Sequence, residues 1–457
     1  MEENSYKILE GSMLDILPAL EENSFDSCIT DPPYELNFMG KGWDRSGIAF
    51  RKETWEQVYR VLKPGAYLCA FGGSRTFHRI ACAIEDAGFE IRDTIMWLYG
   101  SGFPISHNVG LDIDKRFGCE NRGHRIATAN RYHPDGTLEP NGENLPPYEG
   151  KTEEGKKWSG YGTTLKPAYE PIIVARKPIE KSVAENVLKY GCGAINIDEC
   201  RIPTSDDLSR INKTDNGMFG VGNNNNNAQK CKEQGIEYGG RFPSNVILTY
   251  DETDFDEVCG GMPNTKSAYN PNARHETEIH RENADILQFG YKERFETGFN
   301  DEGSASRYFY CAKASKKDRD EGLDMFEEKQ TTDGCIRANS ETARMFGANS
   351  ISKKNIHPTV KPIDLMQYLV RMFTPKGGAI LEPFAGSGST GKATMFENRE
   401  RNANYTITMI EITHEYIPII KARCDYAINK YKYDDEKALR ERKEKGELNI
   451  FDFDYGE

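Results

Sequence analysis

The chain has 457 residues, which at roughly 100–200 residues per domain corresponds to two or three structural units. Asp and Glu (72) outnumber Lys and Arg (59), so the formal net charge is -13. A nucleic acid would therefore need a local basic surface on an acidic protein. No apolar run approaches the roughly 20 residues that cross a bilayer, which excludes an integral membrane protein, and the first residues lack the features of a signal peptide.

The 11 cysteines include no Cys-x-x-Cys pair. Their scatter and odd number predict reduced thiols in a cytoplasmic protein rather than a disulfide framework. The absence of the usual ligand spacing likewise predicts no zinc site.

Short apolar strands alternate with amphipathic helices in the first part of the chain. Strands are predicted at 6–9, 26–30, 66–71, 91–98 and 171–175, and helices at 54–62 and 75–87. Between the last two strands, residues 99–165 are irregular and rich in Gly, Pro and Asn. This alternation predicts an α/β protein with a doubly wound, mostly parallel sheet.

A long polar stretch interrupts this pattern from 179 to about 354. It contains five consecutive asparagines at 223–227 and two predicted strands at 245–250 and 308–312. The α/β pattern then resumes with a helix after Pro362, strands at 379–381 and 406–411, and a helix from 414 to 431. We therefore expect four parts: 1–178 (with a loop-rich segment at about 100–165), the insertion 179–354, the second half of the sheet at 355–432, and a charged tail at 433–457.

A glycine-rich loop lies between a strand and a helix in the second half. It reads Phe384-Ala385-Gly386-Ser387-Gly388-Ser389-Thr390-Gly391-Lys392. Glycines let the backbone turn sharply and approach a ligand, and the helix N-terminus behind the loop suits an anionic group.

The ligand of this loop is ambiguous from the loop alone. Gly386, Gly388 and Gly391 match the Gly-x-Gly-x-x-Gly dinucleotide pattern, with Glu411 at about the expected distance of 20 residues. The P-loop spacing is also present, but Ala393 replaces the magnesium-binding Ser or Thr, which disfavours that interpretation. Nicotinamide dinucleotides and S-adenosylmethionine both remain open at this point.

The segment Asp31-Pro32-Pro33-Tyr34 follows the predicted strand at 26–30. In an open α/β sheet, ligands bind beyond the carboxyl ends of the strands. The two prolines fix a rigid turn, ionised Asp31 only accepts hydrogen bonds, and Tyr34 offers a planar face. Together they could hold a planar ring that bears an amino group, with its lone pair directed at a methyl donor by position and electrostatics.

On these residues the sequence resembles the amino-group DNA methyltransferases, which modify adenine-N6 or cytosine-N4. The resemblance rests on 31–34, on Glu382-Pro383 with the glycine loop, and on His357-Pro358-Thr359-Val360-Lys361-Pro362. It extends to Val61–Gly65 and to Lys166–Pro171. The catalytic loop precedes the cofactor loop, as in the permuted β group of this family. The resemblance thus implies a methyltransferase-type sheet and S-adenosyl-L-methionine as the cofactor.

The resemblance also implies roles for individual residues. Asp31, Pro32, Pro33 and Tyr34 would hold the target base, and Glu411 would bind the ribose hydroxyls. The cofactor pocket would comprise Phe384, Ala385, Gly386, Ser387, Gly388 and Ser389, with Lys361 and Thr390 at the methionine end. Two positions depart from the family pattern. Glu382 replaces an Asp, and Gly11-Ser12 replaces Gly-Asp, which leaves Ser12 as the candidate contact to the adenine of the cofactor.

The insertion 179–354 would be the target-recognition part, with the target base flipped out of double-stranded DNA. Its best basic run provides the phosphate-contact candidates Lys313, Lys316, Lys317 and Arg319. The tail at 447–451 faintly resembles peptides that dock on replication sliding clamps.

The sequence therefore predicts a site-specific DNA methyltransferase, with adenine-N6 as the target because cytosine-N4 members more often have Ser at the position of Asp31. The alternatives are a cytosine-N4 enzyme, an inactive DNA-binding relative suggested by Gly11-Ser12, and a nicotinamide-dependent oxidoreductase, which would leave 31–34 unexplained.

Overall fold

The computed structural model describes residues 5–36, 46–99, 106–119, 149–204, 240–250, 308–313, 317–332 and 350–444, together with short strands at 131–132, 138–139, 264–266, 270–273, 295–297 and 302–304. By their contacts the residues form two compact units. One comprises Met1–Tyr99 and Tyr169–Glu457, and the other comprises Gly100–Ala168.

A large sheet forms the centre of the first unit. Within the described residues its strands are β1 (Tyr6–Glu10), β2 (Phe25–Thr30), β3 (Leu62–Phe71), β4 (Glu90–Tyr99), β5 (Tyr169–Arg176), β6 (Val246–Tyr250), β7 (Tyr310–Lys313), β8 (Ala379–Glu382) and β9 (Thr406–Glu411). Their order across the sheet is β1-β9-β8-β2-β3-β5-β4-β6-β7.

The helices of the described residues follow the amphipathic segments of the sequence. They are α1 (Met13–Ile16), α2 (Lys52–Val61), α3 (Phe77–Asp86), α4 (Val109–Arg116), α5 (Glu153–Lys157), α6 (Val183–Tyr190), α7 (Lys317–Asp320), α8 (Ile363–Phe373), α9 (Ser389–Arg401) and α10 (Ile417–Glu444). Short 3-10 turns occur at Leu17–Ala19, Ile48–Phe50, Asp198–Cys200 and His414–Tyr416. Helix α1 is short because it gives way to the 3-10 turn that contains Pro18.

The sheet is mostly parallel, as predicted, with one exception. Strand β5 runs antiparallel to both of its neighbours, β3 and β4, while the other pairings are parallel. Because β5 is reversed, its first residues lie at the edge of the sheet where β2, β3, β4 and β8 end. In the register, Glu170 near the start of β5 is opposite Trp97 near the end of β4.

Helices cover both faces of the sheet, so the doubly wound prediction is confirmed. Side chains alternate between the faces along a strand. Ile29 packs in the core beneath α8, α9 and α10, whereas its neighbour Cys28 packs in the core formed with α1, α2 and α3. The same alternation places Cys69 and Leu68 of β3 in opposite cores.

Two strands from the long polar stretch belong to this sheet. The strands predicted at 245–250 and 308–312 are β6 and β7, which pair with each other and extend the sheet beyond β4. The stretch 179–354 is therefore not wholly an insertion in structural terms. Its remaining described strands form antiparallel pairs: Asn264–Lys266 with Glu302–Ser304, Asn270–Ala273 with Phe295–Thr297, and Lys329–Thr332 with Ser350–Lys353.

The second unit has its own polar centre. Asp114 on α4 is fully buried, and its carboxylate accepts hydrogen bonds from the backbone N–H of Lys151 (2.6 Å) and from both the N–H and hydroxyl of Thr152 (3.0 and 2.6 Å). Asn108 caps α4, and a bridge joins it to Gly162. The described backbone of this unit also includes the strand pair Arg131–Tyr132 and Leu138–Glu139.

No helix in the described part of the chain is long and apolar enough to cross a membrane. The same residues contain no group of three or more His, Cys, Asp or Glu side chains that could hold a metal ion.

A buried ion pair between α8 and α9 generates a stability prediction. Glu397 is fully buried and accepts from Arg371 Nε at 3.0 Å and from a terminal nitrogen at 2.5 Å. Arg371→Met removes the nearer of the two cations on this carboxylate and leaves Arg401 Nε at 3.8 Å, so the loss should approach the value of about 3–5 kcal/mol that is typical of breaking a buried pair. Urea unfolding followed by tryptophan fluorescence measures the loss.

The matched control is Lys376→Met, which removes a cation from an ion pair with Glu199 at the surface. Exposed pairs contribute about 1 kcal/mol or less. Equal losses in the two variants would contradict the structural importance of the Arg371–Glu397 pair.

Candidate active site

Four segments meet at the edge of the sheet where the parallel strands end. Asp31-Pro32-Pro33-Tyr34 follows β2, the glycine loop follows β8, and Glu411 ends β9. The reversed strand β5 brings Glu170 to the same edge. This is the placement expected for ligand-binding residues in an open α/β sheet.

Lys361 connects Asp31 to the neighbouring residues. Its ammonium donates to Asp31 Oδ2 at 2.7 Å and to the Tyr34 hydroxyl at 3.1 Å, and lies 3.4 Å from Glu170 Oε2. The Tyr34 hydroxyl in turn donates to Glu170 Oε2 at 2.7 Å. Asp31, Tyr34, Glu170 and Lys361 thus form one charged cluster, which we call the base-site cluster.

Aromatic rings surround the ammonium of this cluster. Lys361 is 8% exposed, and its Nζ lies 4.9 Å from the ring centre of Phe71 and 5.2 Å from that of Tyr34. Burial alone would lower the pKa of Lys361, but the carboxylates of Asp31 and Glu170 outweigh it and raise the pKa. The lysine is therefore a permanent cation between two carboxylates.

Tyr34 keeps a protonated hydroxyl in this cluster, and Asp31 has one carboxylate oxygen that can accept a further hydrogen bond. Burial, together with the Asp31 and Glu170 carboxylates, raises the pKa of Tyr34 well above its usual value, so its hydroxyl keeps its proton. Asp31 Oδ1 is buried and has no hydrogen-bond partner among the described residues. A buried carboxylate oxygen without a partner is costly. It is the acceptor in this cluster that a ligand could satisfy.

Steric constraints at two glycines shape the glycine loop. Gly386 has φ +53°, and a Cβ there would lie 2.8 Å from His357 Nε2. Gly388 has φ +74°, and a Cβ there would lie 3.1 Å from the Cα of Ile420. Larger residues would be strained at both positions. Burial lowers the pKa of His357 to about 4, so the ring beside Gly386 is neutral.

Two buried carboxyl groups, those of Glu411 and Glu382, form hydrogen bonds to the glycine loop. Glu411 accepts from the N–H of Gly386 at 2.7 Å and from that of Thr413 at 2.8 Å, and burial raises its pKa. Glu382 accepts from the hydroxyls of Thr30 (2.6 Å) and Thr390 (2.7 Å), so it connects the end of β2 to the start of α9. Glu382, the residue that departs from the family pattern, therefore forms a cross-link between the two loops.

Several predicted cofactor residues have side chains that are bonded within the protein. Ser387, Ser389 and Thr390 are buried, and Arg423 donates from Nη1 to the carbonyl (2.5 Å) and hydroxyl (3.0 Å) of Ser387. The Ser12 hydroxyl caps α1 by accepting from the N–H of Leu14 at 3.3 Å. Of the loop residues, Ala385, Ser387 and Gly388 are also buried, whereas Phe384 and Gly386 are partly exposed. Their contacts to a cofactor stay predictions.

Lys392, the lysine that matches the P-loop spacing, has its ammonium bonded to a residue outside the glycine loop. Lys392 is fully buried, and its ammonium donates to Glu321 Oε2 at 2.8 Å. Burial lowers the pKa of Lys392 to about 8. The contacts of Lys392 are therefore those of a structural lysine, in agreement with the sequence argument from Ala393.

Arg319 lies close to the site but is bonded to the backbone. Its guanidinium donates to the carbonyls of His357 (2.9 Å) and Pro358 (3.2 Å), so it supports the segment that leads to Lys361. Its contact to DNA phosphate stays a prediction. Lys316 lies outside the described residues, as do the side chains of Lys313 and Lys317 and the tail at 447–451.

Sequence reasoning missed the roles of Glu170 and Arg423. Glu170 belongs to a segment of the resemblance, but the reversal of β5 that brings it to the site has no local signal. Arg423 lies on a face of α10 that is otherwise apolar, between Ile420 and Ala427, and is fully buried. An arginine in such a pattern signals a buried polar contact.

The raised pKa of Glu382 gives a pH-dependent prediction. Burial raises this pKa to about 8 from an ordinary value near 4.5. The unfolded chain then releases its proton at a lower pH than the folded chain. The protonated carboxyl stabilises the fold fully below about pH 4.5, and this contribution is lost as the pH rises to about 8, by up to about 5 kcal/mol at about 1.4 kcal/mol per pKa unit.

Glu382→Gln cannot ionise, so its melting temperature should rise relative to that of the unmodified chain between about pH 5 and 8 and level off above. Thermal melts at several pH values measure the difference. Exposed Glu53→Gln is the control. A constant difference between Glu382→Gln and the unmodified chain across this range would argue against the raised pKa.

Comparison with known proteins gives one family model that extends over most of the chain and relatives that match shorter parts of it. The family model of the N6/N4 DNA methylases, described as DNA methylase, matches residues 25–422. The type II methyltransferase M.HindIII of Haemophilus influenzae is 27% identical over 148 residues, which cover 32% of this chain and 37% of that protein. M.HpaI of Haemophilus parainfluenzae, also a type II methyltransferase, is 33% identical over 105 residues, covering 21% and 32%. The chain thus spans about a third of the length of these curated relatives.

Solved structures give loose but extensive superpositions. A DNA modification methylase from Thermus thermophilus is 13% identical with a TM-score of 0.38 and coverage of 93% of this chain and 96% of that one. The cytosine-N4-specific PvuII DNA methyltransferase is 12% identical with a TM-score of 0.37, covering 92% and 89%.

The family model matches far more than half of the chain, including β2 with Asp31, the glycine loop and Glu411. The chain belongs to the N6/N4 DNA methylase family.

Proposed function

We propose that this protein transfers a methyl group from S-adenosyl-L-methionine to an exocyclic amino group of a base in double-stranded DNA. The observation that carries the proposal is the state of Asp31. One carboxylate oxygen is tethered by Lys361, and the other is a buried acceptor without a partner among the described residues, beside the ring of Tyr34. An amino group on a planar ring satisfies that acceptor.

The reaction follows from the chemistry of the amino group. Its lone pair is delocalised into the ring, so the nitrogen is a weak nucleophile. Asp31 accepts one N–H, and the Pro32 carbonyl is suited to accept the other, which directs the lone pair out of the ring plane. A bound cofactor would supply the methyl group and its sulfur as the leaving group, while Asp31 and the Pro32 carbonyl would hold the amino nitrogen toward that methyl group. The proton that the nitrogen loses on methylation would pass to the Asp31 carboxylate and on to solvent. Positioning and electrostatics supply the catalysis.

The residues around the glycine loop fit the proposed cofactor. Gly386 leaves no space for a side chain beside His357, and Glu411 is a buried carboxylate at the end of β9. Glu411 is suited to bind ribose hydroxyls, and the partly exposed ring of Phe384 is suited to contact the adenine. The bound cofactor would supply an electrophilic methyl group on a positively charged sulfur.

Adenine-N6 is the proposed target. The support is the carboxylate at position 31, since the family resemblance associates Ser at this position with cytosine-N4 enzymes. The target base has to leave the duplex to reach Asp31. Recognition of a specific site is proposed for the stretch 179–354, with phosphate contacts from Lys313, Lys316, Lys317 and Arg319.

Asp31→Ala should abolish methyl transfer and preserve cofactor binding, because Asp31 holds the base and not the cofactor. Transfer of labelled methyl groups to DNA from a methylation-deficient host measures the activity, and calorimetry measures cofactor affinity. We expect a loss of at least about 100-fold in rate, comparable with removal of a preorganised electrostatic group. The control is Asp86→Ala at the exposed end of α3. An Asp31→Ala variant with normal activity would refute the role of Asp31.

The modified base identifies the target atom. Nuclease digestion of the methylated DNA followed by mass spectrometry of the nucleosides should yield N6-methyldeoxyadenosine. N4-methyldeoxycytidine as the product would overturn the adenine assignment and keep the amino-group chemistry. A chain that binds DNA and cofactor but forms neither product would be an inactive relative, the alternative suggested by Ser12.

A further inference from the structure

Glu170 reaches the base-site cluster through the reversal of a single strand. The other residues of the cluster belong to segments outside β5, whereas Glu170 is the second residue of the antiparallel strand. Its backbone is paired to β4 opposite Trp97. The sheet thereby fixes the position of this carboxylate.

The contacts of Glu170 complete the coordination of Lys361. An ammonium group has three N–H donors. Three acceptors lie around Lys361 Nζ: Asp31 Oδ2 at 2.7 Å, the Tyr34 hydroxyl at 3.1 Å and Glu170 Oε2 at 3.4 Å. The side chain of Glu170 is 21% exposed, so solvent only partly replaces it. Without Glu170 the ammonium loses one acceptor and half of its counter-charge.

Tyr34 depends on the same carboxylate for its orientation. Its hydroxyl accepts from Lys361 and donates to Glu170 at 2.7 Å, and the Tyr34 carbonyl accepts from the Thr76 hydroxyl at 2.8 Å. The ring is therefore fixed at both ends, by its hydroxyl and by its backbone. Removal of Glu170 takes away the acceptor of the Tyr34 O–H and leaves Lys361 as the remaining described partner of the hydroxyl, so the ring is held less firmly at that end.

We propose that Glu170 is a positioning residue for methyl transfer, which acts through Tyr34 and Lys361. It fixes the ring against which the base stacks, and it shares the charge of Lys361, so that Asp31 remains a strong acceptor for the amino group. This inference rests on the proposed function. Glu170 itself bonds to the two neighbours of the base and not to the reacting atoms.

The test compares Glu170→Ala, Glu170→Gln and Tyr34→Phe with the unmodified chain in labelled-methyl transfer to DNA. We expect kcat to fall about 100-fold in Glu170→Ala, the size of loss caused by a misplacement of about 1 Å. Glu170→Gln retains an oxygen that accepts from Tyr34 and should lose about 10-fold. KM for the cofactor and the melting temperature should change little, which separates positioning from a structural role.

A double-variant cycle tests whether Glu170 acts through Tyr34. Because Tyr34→Phe already removes the hydroxyl that Glu170 holds, Glu170→Ala combined with Tyr34→Phe should lose much less than the product of the two single losses. Glu180→Gln, an exposed carboxylate paired with Lys189, is the control and should keep full activity.

The possible results distinguish this inference from the proposed function. If the unmodified chain methylates DNA and Asp31→Ala does not, but Glu170→Ala is fully active, the positioning role is wrong and the proposed function stands. Equal loss of kcat and cofactor affinity in Glu170→Ala, or independent losses in the cycle, would also overturn it. If the unmodified chain transfers no methyl group, the proposed function fails. A crystal structure of Glu170→Ala tests the positioning role separately from activity. We expect the Tyr34 ring to move so that its hydroxyl leaves Lys361. A Tyr34 ring in the same position as in the unmodified chain would refute the positioning role.

Discussion

The ion pair between Lys361 and Asp31 joins two parts of the chain that are 330 residues apart in sequence. Asp31 follows β2 in the first half of the sheet, and Lys361 precedes α8 in the second half. Their contact is buried and surrounded by aromatic rings, where a charge without a partner would be strongly destabilising. The candidate site thus depends on the correct assembly of both halves of the sheet, and neither half contains it alone.

The buried Glu382 carboxyl group also joins the two halves of the sheet. Glu382 accepts from Thr30, the residue before Asp31, and from Thr390 in the first turn of α9. The two loops, for which we propose base binding and cofactor binding, are therefore connected by one carboxyl group. A methyl transfer requires its two reactants at a fixed separation, and a short, buried cross-link is a direct way to provide it.

Much of this architecture could be predicted from local signals. Periodicity and helix-ending residues located most of the sheet. The glycine and proline loops could be located from the sequence because their backbone constraints are properties of the residues themselves, and their binding of ligands stays a prediction. The direction of β5 and the membership of β6 and β7 in the sheet could not be predicted in this way. Strand direction and neighbours are set by long-range pairing, which leaves no trace in a short β-branched run.

Among the candidate site residues, too, some could be predicted from local sequence and others depend on long-range contacts. Asp31 and Tyr34 were identified from their own chemistry and from the turn that holds them. The contact of Lys361 with Asp31, the arrival of Glu170 and the hydrogen bonds of Arg319 depend on which distant segments meet. The family resemblance implied a place for Lys361 at the methionine end of the cofactor. In the structure its ammonium is bonded to Asp31 and to the Tyr34 hydroxyl. A lysine beside a proline-rich loop carries no signal for its partner.

The short segment 318–321 is bonded to α9, to α10 and to the residues that lead to Lys361. The Asp318 carbonyl accepts from Arg423, which also binds Ser387, while Arg319 holds the carbonyls of His357 and Pro358. Glu321 pairs with Lys392 on α9. This one segment therefore supports residues beside the glycine loop and residues beside Lys361. The segment belongs to the long polar stretch 179–354, so this stretch supports both sides of the candidate site in addition to extending the sheet.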